Sequence, residues 1–249
     1  MIQWNKLGNY LTSELGEYVK IVPLTPANTV DAVKQGKVDF MLGNPVITLE
    51  LKENHKATPF VTINKKYGSF FSGVIIAKAG SGITKSTDLR GKKVMSYKRK
   101  SAAAYVFQMK HLKDNGVQES DFASLEIAKK QDDIVLAVKA GVVDVGFVKS
   151  GLLESMVAEG RINLAELSIV DSQKDSLALI HSTALYPEWC VSAITKTGNA
   201  TMSKMKAALL KLGSDHAAAK KAKISGFVDL EELDTLADTL RSLRMSPYN

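Results

Sequence analysis

The chain has 249 residues, 45% of them hydrophobic and 24% charged, with one cysteine and a formal net charge of +7. This composition excludes wholesale disorder and a coiled coil, and a single cysteine excludes a disulfide framework or a multi-cysteine metal or redox site. The length accommodates one large domain or two small ones, each with a real core. The mild basic surplus fits simple solubility first, and after it a nucleic-acid surface, attraction to anionic lipid or a pocket for a small anion.

No stretch approaches the roughly 18–20 apolar residues of a membrane-spanning helix. Trp4, Leu7, Leu11 and Leu15 are spaced for one face of a helix over 3–15, with no signal peptide before them. Alone, that start fits a cytoplasmic protein, or a piece of a longer chain whose targeting segment lies elsewhere. The pattern then predicts a strand at 19–24, a helix at 28–35, a strand at 38–42, and a helix from Pro45 with Asn44 as its N-cap. Strands at 57–63 and 70–77 follow. Ser86 to Val94 reads as a capped turn, a Gly stop and a new strand. Next come a helix at 101–115, a strand near Leu125, a helix at 131–140, a strand at 142–148 and a helix at 150–159. Strands at 167–170 and 177–181 lead to helices at 200–212, 214–222 and 229–243.

A repeat organises this order. Ala32 to Asp39 (AVKQGKVD) returns as Ala137 to Asp144 (AVKAGVVD). Each copy reads as a helix end, a glycine for the left-handed cap and a strand, which fits two α/β lobes of similar build with mostly parallel sheets.

Much catalytic chemistry is missing. His55, His111, His181 and His216 lack metal-ligand spacing, and there is no dinucleotide, Walker or nucleophile-elbow motif. Cys190, at the start of an apolar run, reads as a buried structural thiol. Asp132-Asp133 and Glu231-Glu232 read as acidic residues opening helices. An enzyme is disfavoured and no cofactor is implied. Scattered basic residues, not interleaved with aromatics, argue against nucleic acid.

Lys98, Arg99, Lys100 and Ser101 lie between a strand and a helix, where open α/β folds place ligands and helix N–H groups favour anions. Lys149-Ser150 and Asn44 hold matching places. Each also has a plain structural reading, as a solvated loop or a helix cap.

The Gly36 to Phe40 strand with Asn44-Pro45, the Ser86 to Val94 stretch and Val143-Asp144 resemble the phosphonate-binding-protein-like family of two-lobed, type II periplasmic solute-binding proteins. Leu153 to Met156, Ala158 to Leu164, His181 to Trp189 and the ending Leu240 to Tyr248 are similar to the sensor regions of tetrathionate-type histidine kinases. The resemblance covers nearly the whole chain. It implies an α/β fold with lobe 1 over 1–76 and 183–249, lobe 2 over 77–182, and a ligand cleft between the lobes. It also implies a periplasmic or extracytoplasmic domain, cut from a longer protein, that closes on a small anionic ligand such as an oxyanion or small acid. Its partners would be a membrane-embedded kinase or, alternatively, ABC-transporter components. A type II-fold enzyme acting on a small precursor molecule is a third reading. The expected ligand set is Asn44, Ser69, Phe71, Lys98, Arg99, Ser101, Ala102, Ala103, Tyr105, Gln131, Lys149 and Ser150. Transport members place hydroxyls in the loop matching Ser101 to Tyr105, where this chain has three alanines, and relatives tend to carry His where this chain has Gln131. Tyr186 to Trp189 is expected as a hinge and packing signature.

Overall fold

The computed structural model describes residues 3–25 and 28–249. Helix α1 (Asn5–Leu15) buries Leu7 and Leu11, the stripe the spacing predicts, and stops at Gly16, where φ is 69°. The expected strand at 19–24 does not form. That segment has no regular structure and no ladder: the Val19 N–H donates to Thr12 Oγ1 (2.9 Å), and Pro23 has no N–H to offer.

Helix α2 (Thr29–Lys34) and strand β1 (Phe40–Gly43) flank the first copy of the repeat. Its Lys37 N–H reaches Ala32 O (2.9 Å) and its Gly36 N–H reaches Val33 O (3.0 Å). In the second copy Val142 N–H reaches Ala137 O (2.9 Å) and Gly141 N–H reaches Val138 O (3.0 Å). Gly36 and Gly141 take φ of 61° and 74°, so the repeated residues build the same Schellman cap twice.

Helix α3 (Pro45–His55) and strand β2 (Thr58–Asn64) match expectation. The strand expected at 70–77 breaks at Ser72 into β3 (Phe70–Phe71) and β4 (Gly73–Lys78). After a 3-10 turn at Ser86–Leu89 comes β5 (Lys93–Ser96). The helix expected at 101–115 opens with a π-turn over Ala102–Val106 before α4 (Phe107–Asp114). Then follow β6 (Ser124–Ile127), α5 (Gln131–Ala140), β7 (Val145–Lys149), α6 (Leu152–Ala158) and β8 (Leu167–Ile169).

The strand expected at 177–181 is a loop instead. Side chains take its donors: Leu177 N–H goes to Asp175 Oδ1 (2.9 Å) and Ile180 N–H to Glu154 Oε1 (2.7 Å). Beyond it lie β9 (Tyr186–Pro187), β10 (Cys190–Ala193), α7 (Asn199–Lys211) and α8 (Ala217–Ala222). The helix expected at 229–243 resolves into β11 (Gly226–Asp229) and α9 (Asp234–Ser242). Glu231 and Glu232 therefore precede the last helix rather than open it.

The chain forms two compact units: unit 1 is the chain up to Phe70 with Pro187–Ala237, and unit 2 is Phe71–Tyr186 with Asp238–Asn249. Unit 1 has a sheet ordered β1-β10-β2-β11 in which all three pairings are antiparallel. Unit 2 has a sheet ordered β6-β5-β7-β4-β8, with β5 parallel to β6 and β7, and β4 antiparallel to β7 and β8. The expectation of mostly parallel sheets is corrected on this point. In unit 1, β10 inserts between β1 and β2 and runs against both, and in unit 2, β4 runs against both its neighbours. Where the chain changes units, β3 and β9 pair as a two-stranded ribbon.

Both faces of the unit 1 sheet are covered. Leu7, Leu11, Met205, Leu209 and Ala219 from α1, α7 and α8 pack with Val61, Ile63, Val191 and Phe227, while Val33, Ile47 and Leu51 pack with Ile194 and Ala57. In unit 2, Ile134, Val135 and Val138 of α5 and Leu153 and Met156 of α6 pack on Val74, Ile76 and Val148. Each of the larger side chains, Val, Leu, Ile, Met or Phe, contributes about 1.5–3 kcal/mol by leaving water. Gly146 lets α5 approach β7: a Cβ there would stand 2.6 Å from Ile134 Cγ2.

Candidate ligand site at the strand ends

In unit 2, β5, β6 and β7 run parallel, so the loops leaving them share one sheet edge. Gly73, at the start of antiparallel β4, pairs with Lys149 at the end of β7 and joins the same edge. This brings together Lys98, Arg99, Ser101, Gln131, Lys149 and Ser150, six of the residues expected from sequence, as ligand sites at α/β strand ends require.

The loop after β5 is held from within. Ser101 N–H donates to Lys98 O (2.7 Å), closing a turn over the basic residues. The four carbonyls of the next turn are all engaged on the protein side. Ser101 O accepts from Val106 N–H (3.0 Å) and Ala102 O from Phe107 N–H. Ala103 O accepts from Gln108 Nε2 (2.8 Å) and Ala104 O from Tyr97 N–H (3.2 Å). Ala104 sits at φ −135°, ψ 24°, outside helical values, which lets the turn widen.

Ser101 makes no side-chain cap, and among the described residues no acceptor is paired with the N–H groups of Ala102, Ala103 or Ala104. Groups of this kind, at the positive end of a helix, are anion donors. Because they belong to the backbone, the alanines in place of hydroxyls remove none of them.

The basic side chains differ in role. Arg99 lays both fork nitrogens on Glu119 (2.6 and 2.5 Å) and reaches the Tyr105 hydroxyl (2.6 Å). The Glu119 hydrogen bond holds the guanidinium firmly charged, and the guanidinium in turn holds the Glu119 carboxyl below its ordinary value. Tyr105 is 6% exposed and its hydroxyl donates to Glu119 Oε2 (2.6 Å); burial, then Glu119, pushes its phenol up. Lys98 is exposed, its Nζ 5.4 Å from the Tyr97 ring centroid, a loose cation–π contact that leaves its charge in solvent at the loop.

Beside them, Gln131 Oε1 accepts from Lys149 N–H (2.9 Å), and Ser150 Oγ accepts from Ser72 N–H (3.1 Å). Ser72 Oγ donates to Thr183 O (2.7 Å), and Thr183 Oγ1 accepts from Gly73 N–H (2.9 Å). Ser72, Gly73, Thr183 and Gln108 are the residues that sequence reasoning missed. The only hint was a cluster of small polar residues beside an apolar strand.

In unit 1, Asn44 Oδ1 accepts from Val46 N–H (3.0 Å) and Ile47 N–H (3.3 Å), the expected N-cap. Ser69 Oγ donates to Glu231 Oε1 (2.6 Å). Phe71, in unit 2, is 7% exposed and edges against Phe107 at 5.2 Å between ring centroids. Ala102 and Ala103 are both 3% exposed and Ala104 is fully buried, so their methyl groups offer a ligand no surface.

The features that resemble catalytic groups have structural roles. Cys190 is fully buried, and burial pushes its thiol up to about 11, far from a thiolate at neutral pH. Asp171 accepts from Ser86 Oγ and lies 2.8 Å from His111 Nε2, so a carboxylate, not the imidazole, stands next to the hydroxyl. A serine nucleophile needs the reverse order. Among the described residues no helix is long and apolar enough to cross a membrane, and no group of three or more His, Cys, Asp and Glu could hold a metal ion.

Known proteins share this architecture. The solved structure of XAC2383 from Xanthomonas citri bound to ATP superposes with a TM-score of 0.82 at 18% identity, covering 98% of this chain and 94% of that one. PhnD1 from Prochlorococcus marinus in complex with methylphosphonate superposes with a TM-score of 0.77 at 14% identity, over 97% of this chain and 92% of that one. These likenesses fix the fold as the type II periplasmic-binding-protein fold. The tetrathionate sensor histidine kinase TtrS of Salmonella typhimurium is 29% identical over 213 residues, 83% of this chain. The chain spans only 36% of that relative's length. The family model for the periplasmic phosphonate-binding proteins of ABC transporters matches residues 1–235, and the chain belongs to that family of extracytoplasmic solute-binding proteins.

Proposed function

We propose that this chain is the extracytoplasmic sensor region of a two-component histidine kinase and that it binds a small oxyanion on the unit 2 strand-end loops. The observation that carries the anion is the π-turn, whose four carbonyls are engaged inward while its first N–H groups have no acceptor. Lys98 adds positive charge at the loop, and Ser101 has a hydroxyl no helix N–H uses. Gln131, Lys149 and Ser150 line the same edge; Arg99 and Tyr105 brace the loop through Glu119. The relatives support the ligand class, since ATP and methylphosphonate both present phosphorus oxyanions. The sensor role is supported by the likeness to TtrS, at 29% identity against 14–18% for those solved binding proteins. The family description favours one second reading, a receptor delivering phosphonate or a related anion to an ABC transporter.

A thermal-shift screen of tetrathionate, thiosulfate, sulfate, phosphate and methylphosphonate against neutral sugars and amides tests the ligand class. A ligand at a hundred times its Kd stabilises by about 2.7 kcal/mol, a readily measured shift. Stabilisation by neutral solutes and by none of the anions would sink the anion reading. In the full-length protein, anion-dependent autophosphorylation would support the sensor role, and anion-dependent uptake by a transporter would replace it.

A further inference from the structure

We propose that Gln108, matched to Gly73, is the positioning residue of the anion loop: it turns the Ala103 carbonyl inward and thereby fixes the backbone donors of the π-turn. This rests on the reading of that loop as the ligand site.

Gln108 is fully buried at the start of α4. Its Nε2 lies 2.8 Å from Ala103 O, 3.0 Å from Val148 O and 3.3 Å from Val74 O. Three acceptors around one end of the amide fix its orientation, because an oxygen there would face three oxygens. One side chain thus ties the loop to two adjacent strands, β7 and β4, just below the edge they share.

The arrangement depends on a missing side chain. A Cβ on Gly73 would stand 2.5 Å from Gln108 Nε2 and 2.7 Å from its Cδ, closer than real contacts allow. Glycine is needed here for close approach, not for a left-handed backbone. At its other end the amide is poorly served, since Gln108 Oε1 is buried with no partner. A buried acceptor without a donor costs stability, and an apolar residue of the same shape would remove that cost while giving up the bonds of Nε2. What the apolar residue could not do is hold Ala103 O. With that carbonyl released, the Val106 and Phe107 bonds back to Ser101 and Ala102 lose their brace, and an ordinary helical turn would draw the Tyr105 N–H onto Ser101 O and shift the turn that carries the Ala102 to Ala104 donors.

The test separates this role from general stability and from the function reading. Amide hydrogen exchange of the segment 97–107 is measured without ligand in the wild type, Gln108→Met and Gly73→Ala. Each variant that melts within a few degrees of the wild type should exchange there roughly tenfold faster. Unchanged exchange in a folded variant overturns the proposal, and Gly73→Ala, which only displaces the amide, serves if Gln108→Met does not fold. Calorimetric titration with inorganic phosphate and methylphosphonate should show affinity about tenfold weaker in the variants, one charge-assisted hydrogen bond's worth. Equal affinity also overturns the proposal. A wild type that binds neither probe breaks the anion reading instead, and the exchange measurement still decides the role of Gln108.

Discussion

Helix α3 in unit 1 and the helical segment from Ala102 in unit 2 each follow a strand end, and their first turns are filled in opposite ways. At α3 every early donor is spent. Pro45 has no N–H, Val46 and Ile47 donate to the Asn44 side chain, and Thr48 donates to Asn44 O. At Ala102 no side chain caps, and the turn is widened to a π-turn that engages carbonyls instead. The first arrangement stabilises a helix and leaves little for a ligand. The second gives up that capping energy and keeps a set of donors at the positive end of a helix. A position in sequence shared by two helices is therefore not a shared role.

The most direct way to break this contrast is to give the unit 2 turn the cap that unit 1 has. Ser101→Asp would place a carboxylate over the N–H groups of Ala102 to Ala104. A like charge roughly 4 Å from a bound anion, at an effective dielectric near that of a protein surface, should weaken oxyanion binding about a hundredfold or more. The same variant should melt higher than the wild type, since a cap has been added. Retained affinity in phosphate titrations would show that these donors are not the site.

The converse change is Asn44→Ala. It should cost about 1 kcal/mol in urea unfolding, the usual value of an N-cap, and leave oxyanion affinity within twofold of wild type. A large loss of affinity would move part of the site to unit 1.

How much of this contrast was legible beforehand depends on what each element shows in one dimension. Asn44-Pro45 is a cap and first-position pair that announces itself locally. The repeat from Ala32 and Ala137 likewise built the same cap twice, because a Schellman motif is set by its own few residues. The π-turn was not legible, since an Ala-Ala-Ala-Tyr-Val run before Phe107 reads as ordinary helix. Its departure is imposed by tertiary partners, Tyr97 and Gln108. Gln108 itself looks like a solvent-facing helical residue, and only the fold reveals that three carbonyls surround it. Strand β11 was missed because a four-residue strand with only Phe227 and Val228 as large apolar residues has no period to read. At 19–24 and 177–181 the patterns were right for strands, but neither segment gained a sheet neighbour.

Within the basic loop the contrast is between neighbours. Lys98→Ala should weaken oxyanion binding two- to fivefold, about 0.5–1 kcal/mol, with the difference shrinking as salt is added. Arg99→Ala should change affinity less, because Glu119 already neutralises that guanidinium.

The smallest expected effect tests whether Arg99, Glu119 and Tyr105 form a brace. The Arg99 side chain is 55% exposed and that of Glu119 34%, so their pair is worth at most about 1 kcal/mol and is screened by salt. Its pH dependence is nevertheless diagnostic. The folded carboxyl of Glu119 lies below its ordinary value, chiefly through Arg99, so its contribution is present above the unfolded value near 4.3 and fades as pH falls through the folded one. Tyr105 has the opposite sign. Burial raises its phenol, so its contribution is complete below about 10 and fades as pH climbs further. Urea midpoints across pH should therefore show an acid-side loss absent from Glu119→Gln and an alkaline loss absent from Tyr105→Phe. If Arg99 sits on Glu119 rather than on the ligand, saturating phosphate will leave the acid-side difference between wild type and Glu119→Gln unchanged. A phosphate-dependent difference would mean that the guanidinium changes partner when the anion binds.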